Sequence, residues 1–369
     1  MFGSAARLIF IGFVLKQILD YRDWLDFNRD VIFTVTPGKC HVVLHDGGSE
    51  DLTHVGNGVV LFSTGLATSK GHIKAVDLNQ SLNAFTLNIT NSPERDDFMT
   101  KLHGLSSWRD PHTGKLYLYV ISHASEESIE VFEVEDGMNL KYIKTITDSS
   151  FASKFMNDLV VVGKDKFYIS QFAHFPIRDM TKVNLEWLSR WKTGNIYYYD
   201  GHRARVVASN LEQPNGINIS PDAKVIYLSE WGSKTLKAYR RESTNNLVEL
   251  WSTYLGTGID NIEVDPDTGD LWIGAHPVMW KVIDLLNIFG AKHPGQVLRI
   301  KMTDNAISEI EEVFSDDGNF LYGTSSATNV NGKLVIGTVS QKAAVCELNY
   351  LSKNEATDSG LLPDSYVAN

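Results

Sequence analysis

The stretch Asp260-Asn261-Ile262-Glu263-Val264-Asp265-Pro266-Asp267-Thr268-Gly269-Asp270-Leu271-Trp272-Ile273 contains one complete unit of a repeating text. A triplet (polar, short, aliphatic) opens an apolar stretch, an Asp/Pro/Gly turn follows, and a β-rich run closes it. The same text stands upstream as His103-Gly104-Leu105, the turn Asp110-Pro111-His112-Thr113-Gly114 and the run Leu116-Tyr117-Leu118-Tyr119-Val120. It recurs as Asn215-Gly216-Ile217, Ser220-Pro221-Asp222-Ala223-Lys224 and Val225-Ile226-Tyr227-Leu228. Turns of this composition between short apolar runs are hairpin connections, because Pro pre-sets φ, Gly supplies φ > 0 and Asp bonds its own backbone.

Working outward, Glu50-Asp51-Leu52 and Asn157-Asp158-Leu159 complete a series of five triplets. Their spacing of roughly 45 to 60 residues is that of one four-stranded propeller blade. A sixth unit has Asn331-Gly332 at its turn and Leu334-Val335-Ile336 after it, with Thr324-Ser325-Ser326 at the degenerate triplet. The expectation is an all-β, six-bladed β-propeller over residues 29–350. Longer spacings predict insertions between blades at Phe172 to Trp191 and Val278 to Ala291, with helical text that could cover one mouth of the channel.

Equivalent positions of successive blades meet at one axis, so the triplets also read by column. The first column (Glu50, His103, Asn157, Asn215, Asp260) should project toward that axis. The third (Leu52, Leu105, Leu159, Ile217, Ile262) suits packing between inner strands. Glu50, Asn157, Asn215, Asp260 and Asn261 offer two carboxylates and three amide oxygens, without a thiolate. That donor set suits Ca²⁺ better than zinc. The competing expectation is a ring of polar residues bonded to each other and to water. His123 follows the strand run of the His103 unit, within reach of a proton relay; His174 and His276 each follow a strand run and are candidates for the rim. Neither G-x-S-x-G nor H-E-x-x-H nor a P-loop is present, so serine-nucleophile chemistry has no sequence support.

Composition sets the outer bounds. The chain has 369 residues, 43% hydrophobic and 21% charged, with a formal net charge of -11. These values describe a globular protein with a large core, and without a basic cluster they argue against nucleic acid as a partner. The apolar run Leu8 to Leu15 after Arg7 is shorter than the about 20 residues that cross a bilayer. It reads as a retained signal or hydrophobic anchor over residues 1–28, able to meet a membrane or lipid particle, or alternatively as a buried first helix. The only cysteines, Cys40 and Cys346, would pair across the first and last strands in an oxidising compartment; otherwise they are two unrelated buried thiols. Sequons at Asn79 and Asn88 are glycosylation candidates, whereas that at Asn218 falls in an inner strand. The segment 351–369 reads as a polar, frayed tail.

Several of these stretches resemble the paraoxonase/arylesterase family: Gly48-Ser49-Glu50-Asp51-Leu52, His103-Gly104-Leu105-Ser106, Asn157-Asp158-Leu159, Asn215 to Asp222, Asp260-Asn261-Ile262, and Asp270-Leu271-Trp272-Ile273-Gly274 with His276-Pro277. The likeness runs from about Val31 to Leu348. It implies a secreted or lumenal, membrane-associated, calcium-dependent hydrolase of lactones and aryl esters, with two Ca²⁺ in the channel. The resemblance assigns the catalytic ion to Glu50, Asn157, Asn215, Asp260 and Asn261. It assigns the structural ion to Asp51, Asp158 and the carbonyl of Leu105. It also matches His103 and His123 to a dyad that activates water, and the cysteines to a closing disulfide. Ala275, Gln213-Pro214 and Met180 to Trp191 depart from the family pattern. The competing expectations are a gluconolactonase-like propeller hydrolase and a non-catalytic, calcium-stabilised scaffold for lipid particles or protein.

Overall fold

The computed structural model describes residues 2–29, 32–68, 70–283 and 292–349. Six antiparallel sheets form the six blades in chain order. Their innermost strands are Leu52–Gly56, Leu102–Arg109, Phe155–Gly163, Pro214–Ile219, Gly258–Val264 and Thr324–Val330. The sixth blade takes its outer strand from the other end of the chain, where Cys40–Leu44 pairs with Ala343–Glu347. Cys40 and Cys346 lie directly opposite in that pairing and are joined by a disulfide. The second blade gains a short fifth strand, Ile89–Thr90.

The repeated turn works as its composition demands. His112 N–H and Asp267 N–H donate to the side chains of Asp110 and Asp265 at 2.9 and 3.0 Å. Gly114 and Gly269 then close each turn at φ +72° and +75°, a region that costs glycine nothing. The third column packs as expected. Leu52, Leu105, Leu159, Ile217 and Ile262 are each at most 2% exposed and fall one apiece into five different apolar clusters. At about 25 cal/mol per Å² of apolar surface, such interlocking burial is the main force closing the ring.

The two insertions lie inside blades, not between them as their spacing suggested. The first joins the second strand (Lys166–Ala173) of blade three to the third (Gly194–Tyr199), and carries a helix, Met180–Leu188. The second joins the corresponding strands of blade five and begins with a short helix at Met279–Ile283; residues 284–291 are outside the described set. Strand parity explains the placement: second strands end on the face where inner strands begin, so both insertions rise on the side of the triplets.

A long N-terminal helix, Phe2–Trp24, ends on this same face. Trp24 packs with Trp187, Trp231 and Met279, and its indole N–H donates to Gly232 O at 2.7 Å. Just beyond it, Asp26 pairs with buried Lys234 at 2.7 and 2.8 Å and accepts the Met279 N–H. The segment from Trp24 to Asp26 is thus packed onto the propeller, against Trp187, Trp231, Lys234 and Met279. The tail at 351–369 lies outside the described residues.

A candidate metal centre in the channel

A regular strand would send consecutive residues to opposite faces, yet both Asp260 and Asn261 are buried at the axis. A bulge resolves this. Ile259 pairs with Ala275 and Ile262 with Ile273, so three steps on the inner strand oppose two on its neighbour. The same extra residue occurs between Leu102 and Leu105, between Met156 and Leu159, and between Pro214 and Ile217. In each of these four blades the bulge falls on the first two triplet residues, and in blades three and five, where both carry side chains, both are buried. Column reading of the sequence anticipated the first residue of each triplet, but not the device that adds the second.

The structure brings the expected first column together. Asn261 Nδ2 donates to the main-chain oxygen and the Oε1 of Glu50, both at 3.0 Å. Asn157 Nδ2 lies 3.4 Å from His103 Nε2, and the Asn215 side chain faces the Asp260 carboxyl and favours its charged form. Ser325 Oγ fixes the Glu50 carbonyl from the sixth blade at 2.6 Å. What these contacts leave over is decisive for chemistry. Glu50 Oε2, Asn157 Oδ1, Asn215 Oδ1, Asp260 Oδ1 and Asn261 Oδ1 are all buried and have no hydrogen-bond partner. Buried polar atoms are rarely left so. Asn157 and Asn261 spend their NH₂ on protein, and all three amides present a bare oxygen, as a hard cation requires. Burial and the neighbouring Glu50 charge push the Asp260 carboxyl well above its usual range, so the cluster is short of positive charge.

Deeper along the axis, Asp51 and Asp158 are paired. Asp51 accepts the N–H groups of Leu52 and Leu105, both at 2.8 Å, and Asp158 those of Leu159 and Ile217 at 2.7 and 2.8 Å. Burial first, then Glu50 for Asp51 and Asp51 for Asp158, raise both carboxyls well above the ordinary value. They face a cavity of about 120 Å³ shared with Leu105 and Glu263. Among the described residues, no group of three or more His, Cys, Asp or Glu is poised to hold a metal alone. Any ion therefore depends on amide and main-chain oxygens.

The histidines separate into three situations. His103 Nδ1 and His123 Nε2 are 2.8 Å apart in the buried wall, with Phe155 against both rings. His276 is buried at the axis, not at the rim: its Nε2 lies 3.6 Å from Asp260 Oδ2, and Trp231 donates to its Nδ1 at 3.1 Å. Burial pushes its pKa down to about 3, so it stays neutral with its proton on Nε2. His174 is exposed and sits beside Lys154 Nζ at 3.1 Å. Sequence reasoning placed Ser325 only at a degenerate triplet and missed Trp231, Phe155 and also Glu127, which lies 2.6 Å from His123 Nδ1. Asn79 and Asn88 are exposed, whereas Asn218 is committed to Ile262 O at 2.7 Å.

The arylesterase family profile matches residues 31–348. The chain belongs to the arylesterase family. It is 34% identical to serum paraoxonase/arylesterase 2 of Gallus gallus, covering 93% of this chain and 99% of that one. To serum paraoxonase/lactonase 3 of Homo sapiens it is 31% identical over 94% and 100%. To human serum paraoxonase/arylesterase 1 it is 33% identical over 89% and 94%. Among solved structures, a gluconolactonase of Xanthomonas campestris superposes with a TM-score of 0.52 at 14% identity, over 84% of this chain and 90% of that one. That likeness concerns the fold alone. As an arylesterase-family propeller, the chain has its bulged inner strands and their unpartnered oxygens within the matched span.

Proposed function

We propose that this arylesterase-family chain hydrolyses lactones and aryl esters at a calcium centre in the upper channel. The observation that carries the metal is the set of five buried, unpartnered oxygens on Glu50, Asn157, Asn215, Asp260 and Asn261. The names of its serum relatives support the substrate class. A calcium ion held there would polarise the ester carbonyl and stabilise the developing oxyanion. His103 would take a proton from water at Nε2, and His123 would hold the His103 ring through its Nδ1. His276, oriented by Trp231, would keep an N–H toward Asp260 and steady that carboxylate. Asp51, Asp158 and the Leu105 carbonyl would hold a second, structural ion.

Two further readings belong with this one. Eight apolar side chains between Ile9 and Leu19 are exposed on the N-terminal helix, while no helix among the described residues is long and apolar enough to cross a membrane. Such a helix fits the interface of a lipid surface. The closing disulfide and the serum relatives support secretion, with Asn79 and Asn88 as glycosylation sites.

The test is turnover of a lactone and aryl-ester panel against free calcium, for the wild type, Glu50→Gln and Asp260→Asn. Chelation and either substitution should each lower turnover by at least about 10²-fold, the scale of losing oxyanion stabilisation. Undiminished turnover in all three would overturn the metal, and a wild type inert on the whole panel would overturn the hydrolase.

A further inference from the structure

The buried acid Glu127 has no role in the reading so far, yet it ends a continuous line of contacts that begins at the proposed centre. His103 Nε2 faces Asn157 Nδ2 at 3.4 Å and Glu50 Oε1 at 3.2 Å. His103 Nδ1 meets His123 Nε2 at 2.8 Å, and His123 Nδ1 meets Glu127 Oε2 at 2.6 Å. None of these five side chains is more than 4% exposed, so bulk water does not compete for the contacts. Glu127 is placed by backbone pairing: it lies directly opposite His123 across a tight hairpin, with its own N–H bonded to Ala152 O at 3.0 Å.

We infer that Glu127 is the positioning residue that sets the proton arrangement of both histidines. This rests on the hydrolytic reading of His103. A carboxylate only accepts, so His123 must carry its proton on Nδ1 and present a bare Nε2. His103 then donates from Nδ1 and keeps an unprotonated Nε2, whose lone pair faces the Asn157 amide N–H at 3.4 Å, a contact that an attacking water would displace. Glu50 Oε1, 3.2 Å away, already accepts from Asn261. The reverse order would put a proton on that Nε2 and leave no lone pair for water. When water loses a proton to His103 Nε2, the hydroxide oxygen bonds the carbonyl carbon. The Nδ1 proton of His103 passes to His123 Nε2, and that of His123 passes to Glu127. At the tetrahedral stage the C=O π pair sits on oxygen, both rings are neutral with swapped tautomers, and the line ends as an uncharged carboxylic acid. When that pair returns, the acyl C–O bond breaks and the leaving alkoxide takes a proton back from His103 Nε2, which resets the line. Burial holds His123 well below its usual value, so its ring stays neutral throughout.

Two measurements decide the matter. In Glu127→Gln, whose side chain has the same shape, kcat on a lactone should fall by about 10²-fold or more, the scale of a lost general base. KM and the calcium-dependent rise in melting temperature should match the wild type. Unchanged kcat, or a loss shared equally by KM and the calcium response, overturns the inference while the hydrolase stands. Independently of turnover, ¹⁵N NMR of histidine-labelled wild-type protein, assigned with His103→Gln and His123→Gln, should show both rings protonated on Nδ1. A proton on Nε2 of His103 overturns it, whether or not a substrate has been found and whether or not the glutamine variant folds.

Discussion

Gly216 has no side chain because Asn261 occupies the place where one would be. A Cβ built there would lie 2.5 Å from the Asn261 Cα and 2.6 Å from the Asp260 carbonyl oxygen. Gly104 stands in the same relation to Asp158, at 2.5 Å from its Cα. In the second column, blades one, three and five thus carry Asp51, Asp158 and Asn261, while blades two and four carry glycine. At blades two and four the neighbouring inner strand approaches too closely to leave room for a side chain at that level. Gly216→Ala should accordingly cost about 1–3 kcal/mol by overpacking and reduce the stabilisation gained from calcium. In Gly163→Ala, where the nearest contact would be 3.8 Å away, unfolding in denaturant should change little. Equal effects at the two glycines would contradict this account. The alternation explains why the second column mixes ligand types with glycine. It was visible as letters, but its cause is a distance between neighbouring blades.

At the scale of elements, the end of the N-terminal helix is tied to a hairpin turn of blade four by a charge pair. Lys234 is 2% exposed and is held by both oxygens of Asp26. Arg29 reaches the Pro277 and Gly256 carbonyls at 3.0 and 2.9 Å, and the Tyr21 hydroxyl donates to Leu188 O at 2.6 Å. Removing one partner of a buried ion pair strands the other, at a cost of about 3–5 kcal/mol. Asp26→Ala should therefore lower stability by about that amount, while Asp26→Ala with Lys234→Met should recover much of it. Differential scanning calorimetry of the two variants makes the comparison, and equal losses would show that the pair does not carry the attachment. The apolar run was legible as an interfacial helix, but its anchoring was not. Asp26 and Lys234 are 208 residues apart, and no local pattern connects them.

Across the whole molecule, the ring closes on the pairing of Cys40–Leu44 with Ala343–Glu347. The disulfide lies on that seam and spans 306 residues of sequence. In the chain-entropy account a loop of this size restrains the unfolded state by about 5 kcal/mol. Replacing both cysteines with serine should lower the melting temperature markedly, with the calcium response retained, since no proposed ligand lies on the seam. A double variant that melts with the wild type would show that the six-bladed core closes without help.

By itself the sequence determined the number of blades, the turns, the inter-blade packing column and the identity of the oxygen-rich positions. These follow from period and composition, which act over a few residues and repeat. The tertiary structure alone decided which atoms of those residues are left without partners. It also decided that bulges turn adjacent triplet residues to one axis, that His276 lies beside Asp260, and that Glu127 completes the histidine line. Each depends on groups from separate strands meeting at distances of about 3 Å. Hydrogen bonding and charge act at that range, and sequence separation carries no record of it.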